Sequence, residues 1–160
     1  MRIIVGAIGK LKNGPEGELV ARYAERFSQT GRNLGLTGPD IVELPESRLG
    51  NAAQRKREEF FRLKEKLPDK AVIITFDERG KSLTSREFSA IIRKFADQGT
   101  VDLALLIGGP DGFDETVREE VDQVISFGKL TIPHQIVRIL VMEQLYRAAT
   151  ILSNHPYHRD

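Results

Sequence analysis

Apolar, β-rich runs alternate with stretches of helical periodicity along the whole chain. The strand candidates lie at residues 2–8, 40–44, 71–76 and 101–107, with a short piece at 124–127. Helical patterns fill the intervals at 16–29, 51–67, 85–98, 114–123 and 133–152. Strands separated by segments of that length cannot be joined by tight turns, so they pair in parallel through crossover helices. The fold class that follows is α/β, a mostly parallel sheet with helices on both faces. Thr84-Ser85-Arg86-Glu87 is a capping box, and Pro133 suits a first helical turn. Residues 31–39, rich in glycine, read as the flexible join between the first helix and the second strand. No internal repeat or low-complexity segment interrupts the pattern, and 160 residues fit one domain over 1–160.

Composition narrows the function classes. No long apolar run lacks charges, so no membrane is expected as a partner. The opening Met1 to Ile8 is too short for a signal peptide's apolar core plus cleavage site and reads as a strand, which with zero cysteines fits the cytoplasm. The missing cysteines also exclude disulfides, thiolate catalysis and thiolate zinc sites. A formal net charge of +1 makes no case for nucleic acid, and none for DNA, but the charge is uneven. Residues 48–66 carry seven bases against three acids, and residues 111–122 carry six acids against Arg118 alone. Such asymmetry steers a polyanion toward one face; two solvated helix faces are the plainer reading. Phe60 and Phe61, inside the basic segment, cannot both face a core from one helix. The final helix is apolar almost all round, from Ile136 to Leu152, which predicts burial in a subunit contact and hence a homodimer.

Two glycine-bearing loops follow apolar runs. Gly108-Gly109-Pro110-Asp111-Gly112 lacks the Lys-Ser or Lys-Thr of a mononucleotide loop and the glycine spacing of a dinucleotide loop. Gly80-Lys81-Ser82 resembles the end of a mononucleotide loop, but the required first glycine falls on Thr75. What remains is exposed backbone at strand ends, where open α/β sheets place ligands, with a sharp strand-to-helix turn as the alternative. The second loop, Ser126 to His134, opens the last helix, and the chain closes on the polar, titratable residues 154–160. Loops and tail together point to an enzyme.

The runs LLIGGPDGF, SFGKLTIPHQIVRILVMEQLYRA and NHPYH, with FDERGKSLTSREFS in the middle, closely resemble the bacterial ribosomal RNA large subunit methyltransferase H family, a minimal branch of the SPOUT methyltransferases. The resemblance spans the chain and is most specific in its C-terminal block. It implies a C-terminal segment threaded as a trefoil knot, an exception to un-knotted topology. It implies an S-adenosylmethionine (SAM) site in that knot and a homodimer that assembles the active site between subunits. The implied reaction is methyl transfer to N3 of a pseudouridine in the helix 69 loop of 23S ribosomal RNA, on the assembled ribosome.

Carried over to this chain, the cofactor contacts implied are Phe76, Gly108 and the loop Phe127, Gly128, Lys129, Leu130, Thr131 and Ile132. Apolar Phe76, Leu130 and Ile132 would wall the adenine ring, and Asp77 would help hold the sulfonium charge. Two positions depart from the family pattern: Phe76 stands where leucine is usual, and Gly128 where serine is common, removing a hydroxyl that would order the loop. The catalytic candidates are Arg147, for a phosphate or the developing oxyanion, Tyr157, to bind or deprotonate the uracil edge, and His158, as base or to position the RNA. Their plainer readings are a surface pair of Arg147 with Glu143 and a frayed tail. His155 and His158 lack a third ligand, so no metal is expected. His134 reads as a structural histidine. A SPOUT enzyme with another nucleoside target and a non-catalytic RNA- or ribosome-binding module are the alternatives.

Overall fold

The computed structural model describes residues 1–159; Asp160, the last residue of the tail, lies outside them. Its elements are β1 (Arg2–Ile8), α1 (Pro15–Gly31), β2 (Thr37–Leu44), α2 (Ala52–Lys64), β3 (Val72–Ser82), α3 (Ser85–Asp97), β4 (Asp102–Ile107), β5 (Gln123–Ser126) and α4 (His134–Leu152). The strands form one parallel sheet in the order β2-β1-β4-β3-β5.

Side-chain alternation sorts the sheet's two faces. Ile3, Val5, Ala7, Leu103, Leu105, Ile107, Ile74 and Ile125 point to one side, where α1, α3 and α4 cover them through Phe27, Phe88, Ile92, Val141 and Leu145. Ile4, Ile8, Ala104, Leu106 and Ile73 point to the other, under Phe60 and Leu63 of α2 and the Phe113–Val117 turn. Each fully buried aliphatic or aromatic side chain contributes about 1.5–3 kcal/mol. The capping box at Thr84 closes in full, with Glu87 N–H donating to the Thr84 hydroxyl and Glu87 Oε2 accepting from Thr84 N at 2.7 Å. Phe60 is fully buried and Phe61 is 47% exposed.

Two expectations are corrected. Residues 114–123 do not form a helix. Asp114 caps a short 3-10 turn at Glu115–Glu119, and the chain enters β5 at Gln123. Five acids crowd this stretch against one arginine, and only Val117 is buried, so no apolar face stabilises a longer helix. Asp122 then ties the segment to the sheet, its carboxylate accepting from Ile73 N at 2.8 Å. Residues 31–39 are not a loose join: a 3-10 turn at Arg32–Leu34 leads directly into β2, where Thr37 N donates to Met1 O.

β3 is long because it pairs with β5 twice, through Ile74 to Phe76 and again through Lys81 and Ser82, with residues 77–80 bulging between. Gly80 sits where the two strands touch; a Cβ there would lie 2.6–2.8 Å from backbone atoms of Val124 and Ile125. Gly80→Ala is therefore expected to cost about 2–3 kcal/mol by forcing β5 off β3, read as a lowered midpoint in thermal or urea unfolding.

Candidate functional site

Where β3 and β5 end and α3 begins, a cavity of about 240 Å³ opens. Phe76, Leu83, Phe88, Ile125 and Phe127 form its apolar walls, and Ser82, Thr84, Ser85, Gly128 and Gln144 supply its polar atoms. The Phe76 and Phe127 rings stack, 5.1 Å between centroids and 4° from parallel. Of the residues expected around a cofactor, the structure brings Phe76, Phe127 and Gly128 together here. Gly108 is not in the lining: it packs on the Gly109–Gly112 turn, where a Cβ would meet the Gly112 backbone at 2.9 Å. Lys129, Leu130 and Thr131 are exposed, Leu130 by 80%, so in one chain Leu130 walls nothing. Ile132 is partly exposed just before α4.

The loop's order comes from a neighbour that the sequence reading passed over. The Ser126 hydroxyl accepts from Gly128 N at 3.0 Å and lies within hydrogen-bond distance of the carbonyls of Gly128 and Glu78, at 3.0 and 3.1 Å. Gly128 has φ of 122°, a backbone region that side-chain-bearing residues avoid. The hydroxyl missing at 128 is thus supplied from 126. Asp77 is matched already, accepting from Arg79 Nε at 2.8 Å and Nη2 at 3.0 Å, and that guanidinium holds its carboxyl below the usual range.

The tail is docked. Arg147 donates to Glu143 Oε1 from Nε at 2.9 Å and from Nη2 at 2.5 Å, and the Tyr157 hydroxyl donates to the same oxygen at 3.0 Å. The Arg147 guanidinium lies 4.8 Å from the Tyr157 ring centroid, and its Nη1 is 3.3 Å from His158 Nδ1. Arg147 and Tyr157 meet on one carboxylate that is only 15% exposed, and His158 joins them through Arg147, so the arginine is not in a loose surface pair. Burial pushes the Tyr157 phenol up, and hydrogen bonding to Tyr23 and Glu143 adds to the shift. A phenol so shifted stays protonated at neutral pH.

Tail and cavity are separate in one chain, since none of the three residues lines the cavity. A hydrogen-bonded line nevertheless joins them: Gln144 donates to Glu143 Oε2 at 2.7 Å and accepts from the Ser85 hydroxyl at 2.7 Å. Ser85 and Gln144, both cavity walls, were not singled out from sequence. Gln144 was detectable as one of the few uncharged polar residues in an apolar helix.

The charged segments face each other. Arg55 pairs with Asp111 at 2.8 Å, Lys64 with Glu120 at 2.5 Å and Arg57 approaches Asp114 at 3.8 Å. Basic α2 thus holds the acidic turn, which reduces the positive face it offers a polyanion. Arg138, 3% exposed, anchors α4 to β1, bonding Glu43 at 2.6 Å and the Ile8 carbonyl at 2.6 Å. His134 beside it is half-buried, and burial followed by the Arg138 charge lowers its pKa. Among the described residues no three His, Asp or Glu side chains converge as a metal would need, and no helix is long and apolar enough to cross a membrane.

Comparison with known proteins adds independent findings. A family model described as predicted SPOUT methyltransferase matches residues 1–158. The ribosomal RNA large subunit methyltransferase H of Allorhizobium ampelinum is 50% identical over 160 residues, covering 100% of both chains. The protein of the same name from Agrobacterium fabrum is 52% identical over 99% of each. Among solved structures, a probable methylase family protein from Haemophilus influenzae superposes with a TM-score of 0.54 at 13% identity, over 99% of this chain and 70% of that one. At that identity the likeness concerns the fold alone.

Proposed function

This chain belongs to the SPOUT methyltransferase family, and from that premise we propose that it is a SAM-dependent methyltransferase of large-subunit ribosomal RNA. Its target in this reading is N3 of a pseudouridine in the helix 69 loop of 23S RNA, within the assembled ribosome in the cytoplasm. The observation that carries the reading is the gathering of Arg147, Tyr157 and His158, with Glu143 binding the first two and Arg147 reaching the third. Tyr157 is held by a carboxylate only 15% exposed, so the segment that carries it is fixed in place on α4.

The cavity's residues suit SAM. Stacked Phe76 and Phe127 offer an apolar face to adenine, while Ser126 holds the main chain around Gly128 in place for its donor and acceptor edge. When bound, SAM supplies a methyl group on a sulfonium, already a good leaving group. The protein is left to orient the base and manage its N3 proton. Arg147, with N–H bonds beyond those it gives Glu143 and His158, is the donor for the carbonyl oxygens that gain charge as that proton leaves, and the neutral Tyr157 hydroxyl becomes a second once it turns from Glu143. Arginine has only donors, so in the 3.3 Å contact His158 Nδ1 is the acceptor. Of the three, only the imidazole has a basic ring nitrogen to offer, so His158 takes the N3 proton when Nδ1 is released from Arg147.

Because cavity and tail lie apart in one chain, the complete site needs two. The exposed apolar residues Leu130, in the loop before α4, and Ile136, in its first turn, are a surface for that second copy. The knotted threading of the C-terminal segment belongs to the same proposal.

The test is mass spectrometry of ribosomal RNA treated with protein and isotope-labelled SAM, comparing free RNA, large subunits and whole ribosomes. Label on 23S RNA in whole ribosomes is expected; label on another nucleoside or RNA class contradicts the target. Absence of saturable heat in SAM calorimetry would leave a binding module of the same fold. Ser126→Ala is expected to weaken SAM about tenfold while stability falls by only about 1 kcal/mol, read by calorimetry and thermal melting.

A further inference from the structure

Beside the tail, α1 contributes contacts that methyl transfer itself does not use. The Tyr23 and Tyr146 rings lie 6.2 Å apart, and those of Tyr146 and Tyr157 4.6 Å apart. Three tyrosines therefore form a row from α1 across α4 to the tail. Two guanidinium groups rest on that row: Arg147 over Tyr157, and Arg26 at 5.8 Å from both the Tyr23 and Tyr146 centroids.

The two arginines differ in charge balance. Glu143 matches Arg147, whereas Arg26 is exposed and makes no ion pair with a carboxylate among the described residues. An arginine spread across two rings is localised before any ligand arrives, and this one is exposed with no side-chain hydrogen bond of its own among the described residues. Localisation lowers the entropy lost on binding, and a planar fork with free edges matches the geometry of a phosphate. Nucleic-acid strands carry such phosphates beside every base, and RNA sites on proteins recur where arginine and aromatic rings lie together.

We propose that Arg26, seated on Tyr23 and Tyr146, binds a backbone phosphate of the substrate RNA next to the nucleotide presented to Arg147, Tyr157 and His158. The contact rests on the RNA methyltransferase reading and adds to it a residue that grips the strand. Arg26 sits over Tyr146, the ring next to Tyr157 in the row, so a strand whose base reaches the trio passes its sugar-phosphate chain close to the guanidinium. A phosphate contact of this kind sets affinity and salt dependence and carries no sequence information.

The experiment compares wild type, Arg26→Ala and Arg26→Lys in methyl transfer to ribosomes across a series of potassium chloride concentrations. SAM calorimetry and native mass are measured alongside. For Arg26→Ala the KM for ribosomes is expected to rise roughly tenfold, and the slope of log affinity against log salt to flatten by about 0.7 to 1. SAM affinity and oligomeric mass are expected to match wild type. Arg26→Lys, which keeps the charge without the fork, recovers the slope and part of the KM. An active wild type with unchanged KM and slope in Arg26→Ala overturns the contact and leaves the methyltransferase reading standing. A lysine variant as impaired as alanine, or a loss that tracks SAM affinity or dissociation of the oligomer, also overturns it. A wild type that transfers no methyl group to ribosomal RNA overturns both.

Discussion

Alanine at Arg147 is expected to lower turnover by roughly 10²- to 10³-fold, the range found when a donor aimed at developing charge is removed. The cause is concentrated in one side chain. Its guanidinium holds Glu143 through two N–H groups, covers the Tyr157 ring and donates to His158 Nδ1. Removing it takes away a charge-stabilising donor and loosens both remaining members of the trio. SAM affinity is expected to survive within a few-fold, because Arg147 does not line the cavity. Stability falls by only about 1–2 kcal/mol, since Glu143 keeps Tyr157 and Gln144 as donors. Arg147→Lys recovers little, for one ammonium cannot serve a carboxylate and an imidazole while lying flat on a ring. Single-turnover transfer of labelled methyl groups by both variants, with SAM calorimetry and thermal melting on the same samples, checks these four statements. A loss confined to SAM binding would place Arg147 in the wrong half of the site.

The cofactor half makes the second large prediction. Phe76→Ala removes one ring of the stacked pair and opens the cavity wall. Loss of a base-stacking aromatic costs about 1–3 kcal/mol, so the SAM dissociation constant is expected to rise by roughly 5- to 150-fold. Phe76→Leu keeps an apolar wall of similar reach and is expected to bind within a few-fold of wild type. The contrast matters because Phe76 departs from the leucine of the resembling family. If leucine were as damaging as alanine, the aromatic ring itself would be required. If alanine bound SAM like wild type, adenine would not lie against Phe76.

How much of this was legible in the sequence depends on how local the cause was. The strands were readable because period-two alternation places Ile3, Val5 and Ala7 on one face of β1 and Ile4 and Ile8 on the other. The α3 boundary was readable because Thr84 and Glu87 carry their own cap. Residues 114–123 misled because their spacing suits a helix while their charges and lack of burial do not sustain one. Pairing of α2 with the acidic turn joins Arg55 to Asp111 across 56 positions, which no local pattern announces. At the site, the resemblance pointed to residue types and positions, but not to Ser126 as the loop's anchor or to Glu143 as the carboxylate that gathers the tail. Both depend on three-dimensional neighbours. Within one chain the tail docks on α4 and α1, away from the cavity, a placement that no local pattern announces. The apolar turn-by-turn pattern of α4 hinted at the reason, a helix with more apolar surface than one small domain buries.

The most direct test of a site divided between two copies is a mixing experiment. Phe76→Ala protomers, with an impaired cavity and an intact tail, are unfolded and refolded together with Arg147→Ala protomers, which have the reverse. Methyl transfer to ribosomes is then measured at low SAM. Each mixed dimer would contain one site built from the intact cavity of one protomer and the intact tail of its partner, so roughly a quarter of the wild-type rate is expected to return. A mixture no more active than the two variants measured separately would place cavity and tail of the same chain in each working site, and would contradict the account.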